Sequence, residues 1–137
     1  MAGYSDTPLA QKLGIKPGTT IVVINEPPSY RKLLGKLDQV TFSSRITANA
    51  DFVHLFTKRR RELESKLSIL RGKISDNGTI WVSWPKKSAN VLTDITEDVV
   101  REVALPLGLV DIKVCVVDET WSGLKLMIRR ENRKSNK

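Results

Sequence analysis

The stretch that decides the fold runs from Thr20 to Tyr30 and reads TIVVINEPPSY. It opens with a run of β-branched and apolar residues, which is typical of a strand buried on both faces of a sheet. Pro27 and Pro28 then stop the strand, because proline fixes φ and has no N–H for a sheet hydrogen bond. The next segment, YRKLLGKL, has a short helix pattern that ends at Gly35. A strand that leads through a stiff turn into a helix is typical of an α/β fold.

Strand and helix patterns alternate along the rest of the chain. A short helix, TPLAQKLG, precedes the first strand. Further strand patterns cover residues 40–44, 51–56 and 79–84, and helix patterns cover residues 58–74 and 94–108. The chain closes with two apolar strands, LVDIKVCVVD and WSGLKLMIRR, around a tight turn. This order predicts a three-layer α/β domain with a mostly parallel sheet of five or six strands and a C-terminal antiparallel hairpin.

Three local patterns refine this outline. Apolar residues recur at helical spacing from Leu63 to Ile74 and give the long basic helix an apolar stripe. The sequence DNG at residues 76–78 has the chemistry of a turn before the next strand. Asp94 is the predicted N-cap of the following helix, and Glu97 three residues later completes a capping box.

Length and composition indicate one domain. The chain has 137 residues, 40% of them hydrophobic and 28% charged, which is ordinary for a single globular domain. We assign residues 1–128 to that domain and residues 129–137, RRENRKSNK, to a basic, disordered tail. No apolar run reaches the roughly 20 residues that span a bilayer, and the N-terminus lacks a signal-peptide pattern. The single cysteine, Cys115, fits a reducing compartment, so we expect a cytoplasmic protein without a membrane partner.

The chain resembles two groups of proteins, one through the order of its segments and one through short phrases of its sequence. From residue 51 onward, DFVHLF, the basic helix, NGTIWVSWP, the second helix and the closing hairpin resemble the second half of a class I methyltransferase fold. The phrases KLGIKPG, WVSWPKKS and KVCVVDETWSGLKL also resemble a family of small bacterial proteins known as a domain of unknown function. This second resemblance covers nearly the whole chain. Together they imply a Rossmann-like fold and a bacterial cytoplasmic setting, and they imply no reaction.

The cofactor loop of such a fold has no counterpart in this sequence. Binding S-adenosylmethionine or a dinucleotide requires a glycine-rich turn after the first strand, because glycines let backbone N–H groups approach the ligand. Here Pro27 and Pro28 occupy that turn, and no G-x-G-x-x-G exists anywhere in the chain. The Asn-Pro-Pro-Tyr motif of amino-methyltransferases is interrupted as well, since Glu26 and Ser29 are inserted. We therefore predict a methyltransferase-like topology that lacks the glycine-rich cofactor loop and holds no cofactor.

Other catalytic constellations are missing from the sequence too. His54 is the only histidine, so a histidine-rich metal site is excluded. Its alternation with Phe52 and Phe56 favours a hydrogen-bonded core residue over a catalytic base. Cys115 lies in the middle of an apolar strand, where a buried thiol has a raised pKa and is a poor nucleophile. We predict no metal and no catalytic residue.

Polar residues at two predicted strand ends form the candidate ligand-binding site. Ligands of open parallel sheets bind outside the carboxyl ends of the strands. The loop after residues 79–84 offers two lysines and a serine to an anion, and the turn after the first strand offers an amide, a carboxylate and a phenol. The six candidates are Asn25, Glu26, Tyr30, Lys86, Lys87 and Ser88. The alternative is that the two lysines lie in a solvated turn without function.

Three functions remain open at this point. The first is a non-enzymatic binding or regulatory module, which predicts no deep pocket at the end of the first strand. The second is a small enzyme with an anion-binding site at the strand ends. The third is a nucleic-acid-binding protein, for which the net charge of +8 provides the attraction. An anionic ligand or a nucleic acid would contact the basic residues Lys58, Arg59, Arg60, Arg61, Lys86 and Lys87.

Overall fold

Helices and strands alternate through residues 7–134, the part of the chain that the computed structural model describes. The helices are α1 (Leu9–Leu13), α2 (Tyr30–Leu34), α3 (Arg60–Lys73) and α4 (Glu97–Ala104). The strands are β1 (Thr20–Ile24), β2 (Thr41–Ser43), β3 (Ala50–Phe56), β4 (Ile74–Pro85), β5 (Leu109–Val116) and β6 (Trp121–Ile128). Short 3-10 helices cover Lys87–Ala89, Leu105–Leu107 and Arg130–Asn132. Within residues 7–134, no helix has the length and apolar character needed to cross a membrane.

The six strands form one sheet in the order β2-β1-β3-β4-β6-β5. Strands β2, β1, β3 and β4 run parallel to one another. Strand β6 is inserted between β4 and β5 and is antiparallel to both, so β5 runs in the same direction as β4. The predicted α/β fold, with a mostly parallel sheet and a C-terminal antiparallel hairpin, is therefore confirmed.

Apolar side chains cover both faces of the sheet, which makes three layers. On one face, the leucine stripe of α3 and Val100 of α4 pack against the strands in the larger core. On the other face, α1 and α2 cover a smaller core that contains Tyr30, Phe56 and Trp81. The apolar stripe predicted for the long helix is buried as expected, because Leu63, Leu67 and Leu70 are all inaccessible to solvent.

The predicted turn at residues 76–78 is wrong, because this segment belongs to β4. Ile74 leaves α3 in an extended conformation and pairs with Ala50, so the strand starts directly at the end of the helix. The next pair joins Phe52 to Thr79, and the extra residues on β4 form a bulge. Gly78 lies in this bulge, where a Cβ would meet the Ile74 side chain at 2.6 Å and the Ala50 carbonyl oxygen at 2.9 Å. The glycine thus permits a close backbone approach rather than a turn.

The predicted N-cap at Asp94 is also wrong. Helix α4 begins at Glu97, and the Thr96 hydroxyl accepts the hydrogen bond from the Val99 N–H at 3.2 Å. The Asp94 carboxylate instead accepts the backbone N–H of Arg60 at 2.6 Å, so it caps the start of α3. This contact joins residues 34 positions apart, so no local sequence pattern could have predicted it.

Replacing Asp94 by alanine is expected to lower the free energy of unfolding by about 1 kcal/mol, the usual cost of losing a capping side chain. Urea unfolding followed by circular dichroism measures the change. Asp98→Ala is the matched control, since Asp98 is largely exposed and makes only a 3.4 Å contact with Arg101. Equal losses in the two variants would contradict a capping role for Asp94.

The first part of the predicted disordered tail is packed on the domain. The Arg129 backbone N–H donates to the Gly108 carbonyl at 2.9 Å, and the Arg133 Nε donates to the Ile128 carbonyl at 2.9 Å. The 3-10 helix Arg130–Asn132 lies between these two contacts. Residues 129–133 thus make these contacts with the domain, the assignment of 129–137 to a disordered tail stays a prediction, and residues 135–137 lie outside the described part.

Candidate ligand-binding groove

The site lies at the carboxyl edge of the sheet, where β1 and β3 end side by side. The chain leaves β1 toward β2 on one side, and β3 lies on the other side, so the strand order reverses at this point. Open α/β sheets bind ligands in the crevice at such a switch point. A cleft of about 540 Å³ opens there. It is lined by Asn25, Pro27, Pro28, Phe56, Thr57, Lys58, Arg59, Glu62 and Trp121.

A small hydrogen-bond network links the turn after β1 to the start of α3. Asn25 has a positive φ of 60°, which asparagine tolerates better than most residues. Its side-chain amide donates to the Phe56 carbonyl at 2.9 Å and to the Glu62 carboxylate at 3.1 Å. The Thr57 hydroxyl donates to the same Glu62 oxygen at 2.7 Å. The cleft therefore has a cross-linked polar wall on both sides of the switch point.

The turn after β1 presents proline rings to the cleft. Pro27 and Pro28 both line it, and neither has an N–H to offer a ligand. The Pro27 carbonyl accepts the Tyr30 N–H at 3.1 Å, which closes the turn into α2. The expected loss of the glycine cradle is thus visible in the geometry. The non-enzymatic module predicted no deep pocket at the end of the first strand, and the structure has an open cleft of about 540 Å³ there.

Two further pockets extend the cleft along the same edge. One of about 190 Å³ shares Lys58 and Arg59 with the cleft and adds the exposed Leu92. The other pocket has a volume of about 470 Å³ and shares Thr93 with the 190 Å³ pocket. It reaches Lys86 and Lys87. We call the three together the strand-end groove.

Four cations line the strand-end groove without an acidic partner. Within residues 7–134, none of the four forms an ion pair. They are Lys58, Arg59, Lys86 and Lys87. Arg60 differs, because its guanidinium contacts Glu64 at 3.4 Å and Glu102 at 2.9 Å. The basic run predicted as one patch is therefore divided, and only its first two residues line the groove.

The loop that carries the lysines is held against the loop after β3. The Thr93 hydroxyl donates to the Lys58 carbonyl at 2.6 Å, and the Asp94 N–H donates to the same oxygen at 3.3 Å. The Lys86 N–H donates to the Thr120 carbonyl at 2.7 Å. These contacts fix the backbone on both sides of the groove, so the basic side chains extend from a held frame.

The structure separates the six residues predicted from the sequence. Asn25 lines the cleft, and Lys86 and Lys87 line the groove at its other end. Ser88 is exposed in a 3-10 helix. The other two point elsewhere: Glu26 pairs with Arg31 at 3.0 Å, and Tyr30 is fully buried.

Thr57 and Glu62 are polar residues of the cleft wall that were not singled out from the sequence. Thr57 follows β3 directly and Glu62 lies in the first turn of α3. The only signal for them is that β3 is parallel to β1 and ends at the same edge. Their residue types did not indicate a binding site, because threonine and glutamate are common at the start of any helix.

A buried hydrogen-bond chain lies beneath the cleft. The Tyr30 hydroxyl and His54 Nδ1 are 2.7 Å apart, and His54 Nε2 and the Ser83 hydroxyl are 2.8 Å apart. Phe56 stacks on His54 with the ring centroids 4.1 Å apart. Burial lowers the pKa of His54 to about 3 and raises the pKa of Tyr30. The prediction that His54 is a hydrogen-bonded core residue is confirmed, and both of its nitrogens are occupied.

Comparison with known proteins identifies the fold. No protein-family model matches the chain, and no curated protein matches it in sequence. Solved structures do match it. One is a Sulfolobus solfataricus protein assigned as a type 11 methyltransferase, with 14% identity, a TM-score of 0.58, and coverage of 88% of this chain and 89% of that one.

Two other solved structures match the chain at similarly low sequence identity. The TehB-like SAM-dependent methyltransferase of Corynebacterium glutamicum has 10% identity and a TM-score of 0.53, with coverage of 93% of this chain and 91% of that one. The fibrillarin pre-rRNA processing protein of Methanococcus jannaschii has 9% identity and a TM-score of 0.53, with coverage of 93% and 71%. At such identities the likeness concerns the fold alone: the chain has the Rossmann-like fold of class I methyltransferases.

Proposed function

We propose that this protein is a non-enzymatic binding module whose strand-end groove binds a small phosphate-bearing ligand of the nucleotide class. The observation that carries the proposal is the set of four cations, without ion pairs in residues 7–134, along a groove that begins at the switch point and continues past the end of β4. Lysine and arginine side chains in a concave site attract anions and form charge-assisted hydrogen bonds with phosphate oxygens. The proposed setting is the bacterial cytoplasm, which the resemblance and the single free Cys115 support.

The turn after β1 argues against binding of S-adenosylmethionine in the usual way. A glycine cradle would supply backbone N–H groups to the ligand, and Pro27 and Pro28 supply none. Their rings also occupy the wall of the cleft where a flexible glycine backbone would otherwise approach the ligand. The scaffold thus keeps the methyltransferase-like sheet and changes the loop that would hold the cofactor.

The carboxylates that line the groove already have hydrogen-bond or ion-pair partners, which supports a binding role. Glu62 already accepts hydrogen bonds from Asn25 and Thr57, and Asp94 caps α3. His54 is buried below the cleft, where both ring nitrogens have partners. General acid–base catalysis requires a positioned group within reach of the substrate. The hydrogen bonds of Glu62, Asp94 and His54 are instead made to other parts of the fold.

The shape of the groove favours a ligand with an apolar ring and a charged tail. Pro27, Pro28 and Trp121 give the cleft apolar surfaces, and Trp121 is held edge-on against Phe56 with the centroids 5.1 Å apart. Lys58 and Arg59 stand where the cleft continues into the next pocket. A base in the cleft would therefore place its phosphates next to these cations.

Thermal-shift and calorimetric titrations test the proposal with ADP, ATP, pyrophosphate and S-adenosylmethionine. We expect the nucleotides to raise Tm and S-adenosylmethionine to leave it unchanged. Lys58→Ala/Arg59→Ala is expected to weaken nucleotide binding by about tenfold or more, because two charge-assisted contacts are lost. Lys66→Ala/Lys73→Ala removes the same charge from α3 outside the groove and should change affinity by less than about twofold.

Two results would contradict the proposal. One is the absence of any shift with phosphate compounds in the intact protein. The other is S-adenosylmethionine binding more tightly than the nucleotides, which would show that the proline turn still permits the cofactor.

A further inference from the structure

A second cationic surface lies farther from the strand ends, on the face of the sheet that α1 and α2 cover. Lys113 of β5 and Lys125 of β6 are direct cross-strand partners, and Lys125 is the partner of Trp81 on β4. Trp81 belongs to the core under α1 and α2, so both lysines are on that face. The Trp81 indole donates to the Leu13 carbonyl at 2.9 Å, which brings the end of α1 to the same place.

Two more lysines come from α1 and the turn after it. Lys12 is the basic residue in the last turn of α1, and Lys16 follows two residues after Gly14. Burial, Lys113 and Lys16 together lower the pKa of the Lys125 ammonium. We call Lys12, Lys16, Lys113 and Lys125 the lysine face. Within residues 7–134, none of its members forms an ion pair.

This arrangement is electrostatically unfavourable for the free protein. Like charges directly opposite each other on neighbouring strands destabilise a sheet. Lys125 is only partly exposed, so water screens its charge less well than that of Lys113. A polyanion that supplies negative charge to several ammonium groups at once would relieve the repulsion and release its own counterions.

We propose that the lysine face binds the phosphodiester backbone of a nucleic acid, without sequence preference. The net charge of +8 disfavours a second copy of the chain as the occupant. An acidic peptide would need pockets for its side chains as well as positive charge. Trp81 and Leu13, apolar residues beside the lysines, are buried and are not available to the side chains of such a peptide. The ammonium groups stand at the ends of flexible side chains, so they can contact evenly spaced phosphates more readily than the side chains of an acidic peptide.

Fluorescence polarisation with a labelled 20-base-pair DNA duplex tests this inference at several KCl concentrations. Lys113→Gln/Lys125→Gln is expected to weaken binding by about tenfold or more at low salt. It should also reduce the slope of log Kd against log [KCl] by about 2, roughly one unit for each phosphate contact. Lys66→Gln/Lys73→Gln removes the same charge from the opposite face of the sheet, and its affinity should stay within about twofold.

Several outcomes would overturn the inference. Equal weakening in the two double variants would show attraction by net charge alone. Failure of the intact protein to bind the duplex, or tighter binding of polyglutamate than of the duplex, would remove the nucleic acid as the occupant. Loss of duplex binding in Lys58→Ala/Arg59→Ala but not in Lys113→Gln/Lys125→Gln would move the site to the strand-end groove. The Tm of Lys113→Gln/Lys125→Gln should not fall, because the substitution removes a repulsion, and this measurement separates lost binding from lost folding.

Discussion

Replacing Trp81 by alanine is expected to lower the free energy of unfolding by about 4 kcal/mol, which is typical of a large aromatic residue in a core. Trp81 lies in β4 between β3 and β6 and has no exposed surface. Alanine would leave a cavity under α1 and would also orphan the Leu13 carbonyl, which now accepts the indole N–H at 2.9 Å. Helix α1 has only five residues, so it depends on this packing more than on its own hydrogen bonds.

Trp81→Phe is the matched control for this experiment. Phenylalanine keeps most of the apolar ring and loses the hydrogen bond, so we expect a smaller loss of about 1 to 2 kcal/mol. Urea unfolding followed by circular dichroism suits both variants, since tryptophan fluorescence changes with the substitution itself. A loss below about 1 kcal/mol in Trp81→Ala would contradict the packing of α1 on Trp81.

Lowering the pH from 7 to 5 is expected to lower the free energy of unfolding by about 2 kcal/mol through His54 alone. The pKa of the buried imidazole is about 3, whereas an unfolded histidine titrates near its ordinary value of 6.5. Between these values the unfolded chain binds a proton that the folded protein does not, so stability decreases as the pH falls. The loss continues until the pH reaches the folded-state pKa.

His54→Gln isolates this contribution. Glutamine can hydrogen-bond with the Tyr30 and Ser83 hydroxyls but does not titrate, so the variant should lose less stability between pH 7 and pH 5 than the parent. Urea unfolding at each pH measures the two slopes. Identical pH dependence in parent and variant would contradict a neutral, buried His54.

Much of the fold was predictable because its signals are local. The run before Asn25 is apolar enough to identify a buried strand, and Gly14 and Gly35 end the short helices with positive φ values. The closing hairpin was predictable from its two apolar segments. The bulge at Gly78 was not, because DNG has turn chemistry and its extended form depends on pairing with β3.

The candidate site was only partly predictable, since a residue type does not show where its side chain points. Lys86 and Lys87 line the groove as the loop position suggested. Tyr30 was expected at the same edge, but as the first residue of α2 its side chain lies in the core against His54. Asp94 looked like a local cap and serves a helix that begins 34 residues earlier.

By itself, the sequence determined the α/β class and the proline turn after the first strand, because periodicity and proline geometry act over a few residues. Only the tertiary structure decided which charges share a surface. Lys113 and Lys125 are 12 positions apart in the chain and become neighbours because β5 pairs with β6 in one register. Asn25 and Glu62 meet because β1 and β3 end together. Such contacts arise from strand order and register, which are set by burial of the whole sheet rather than by any short segment.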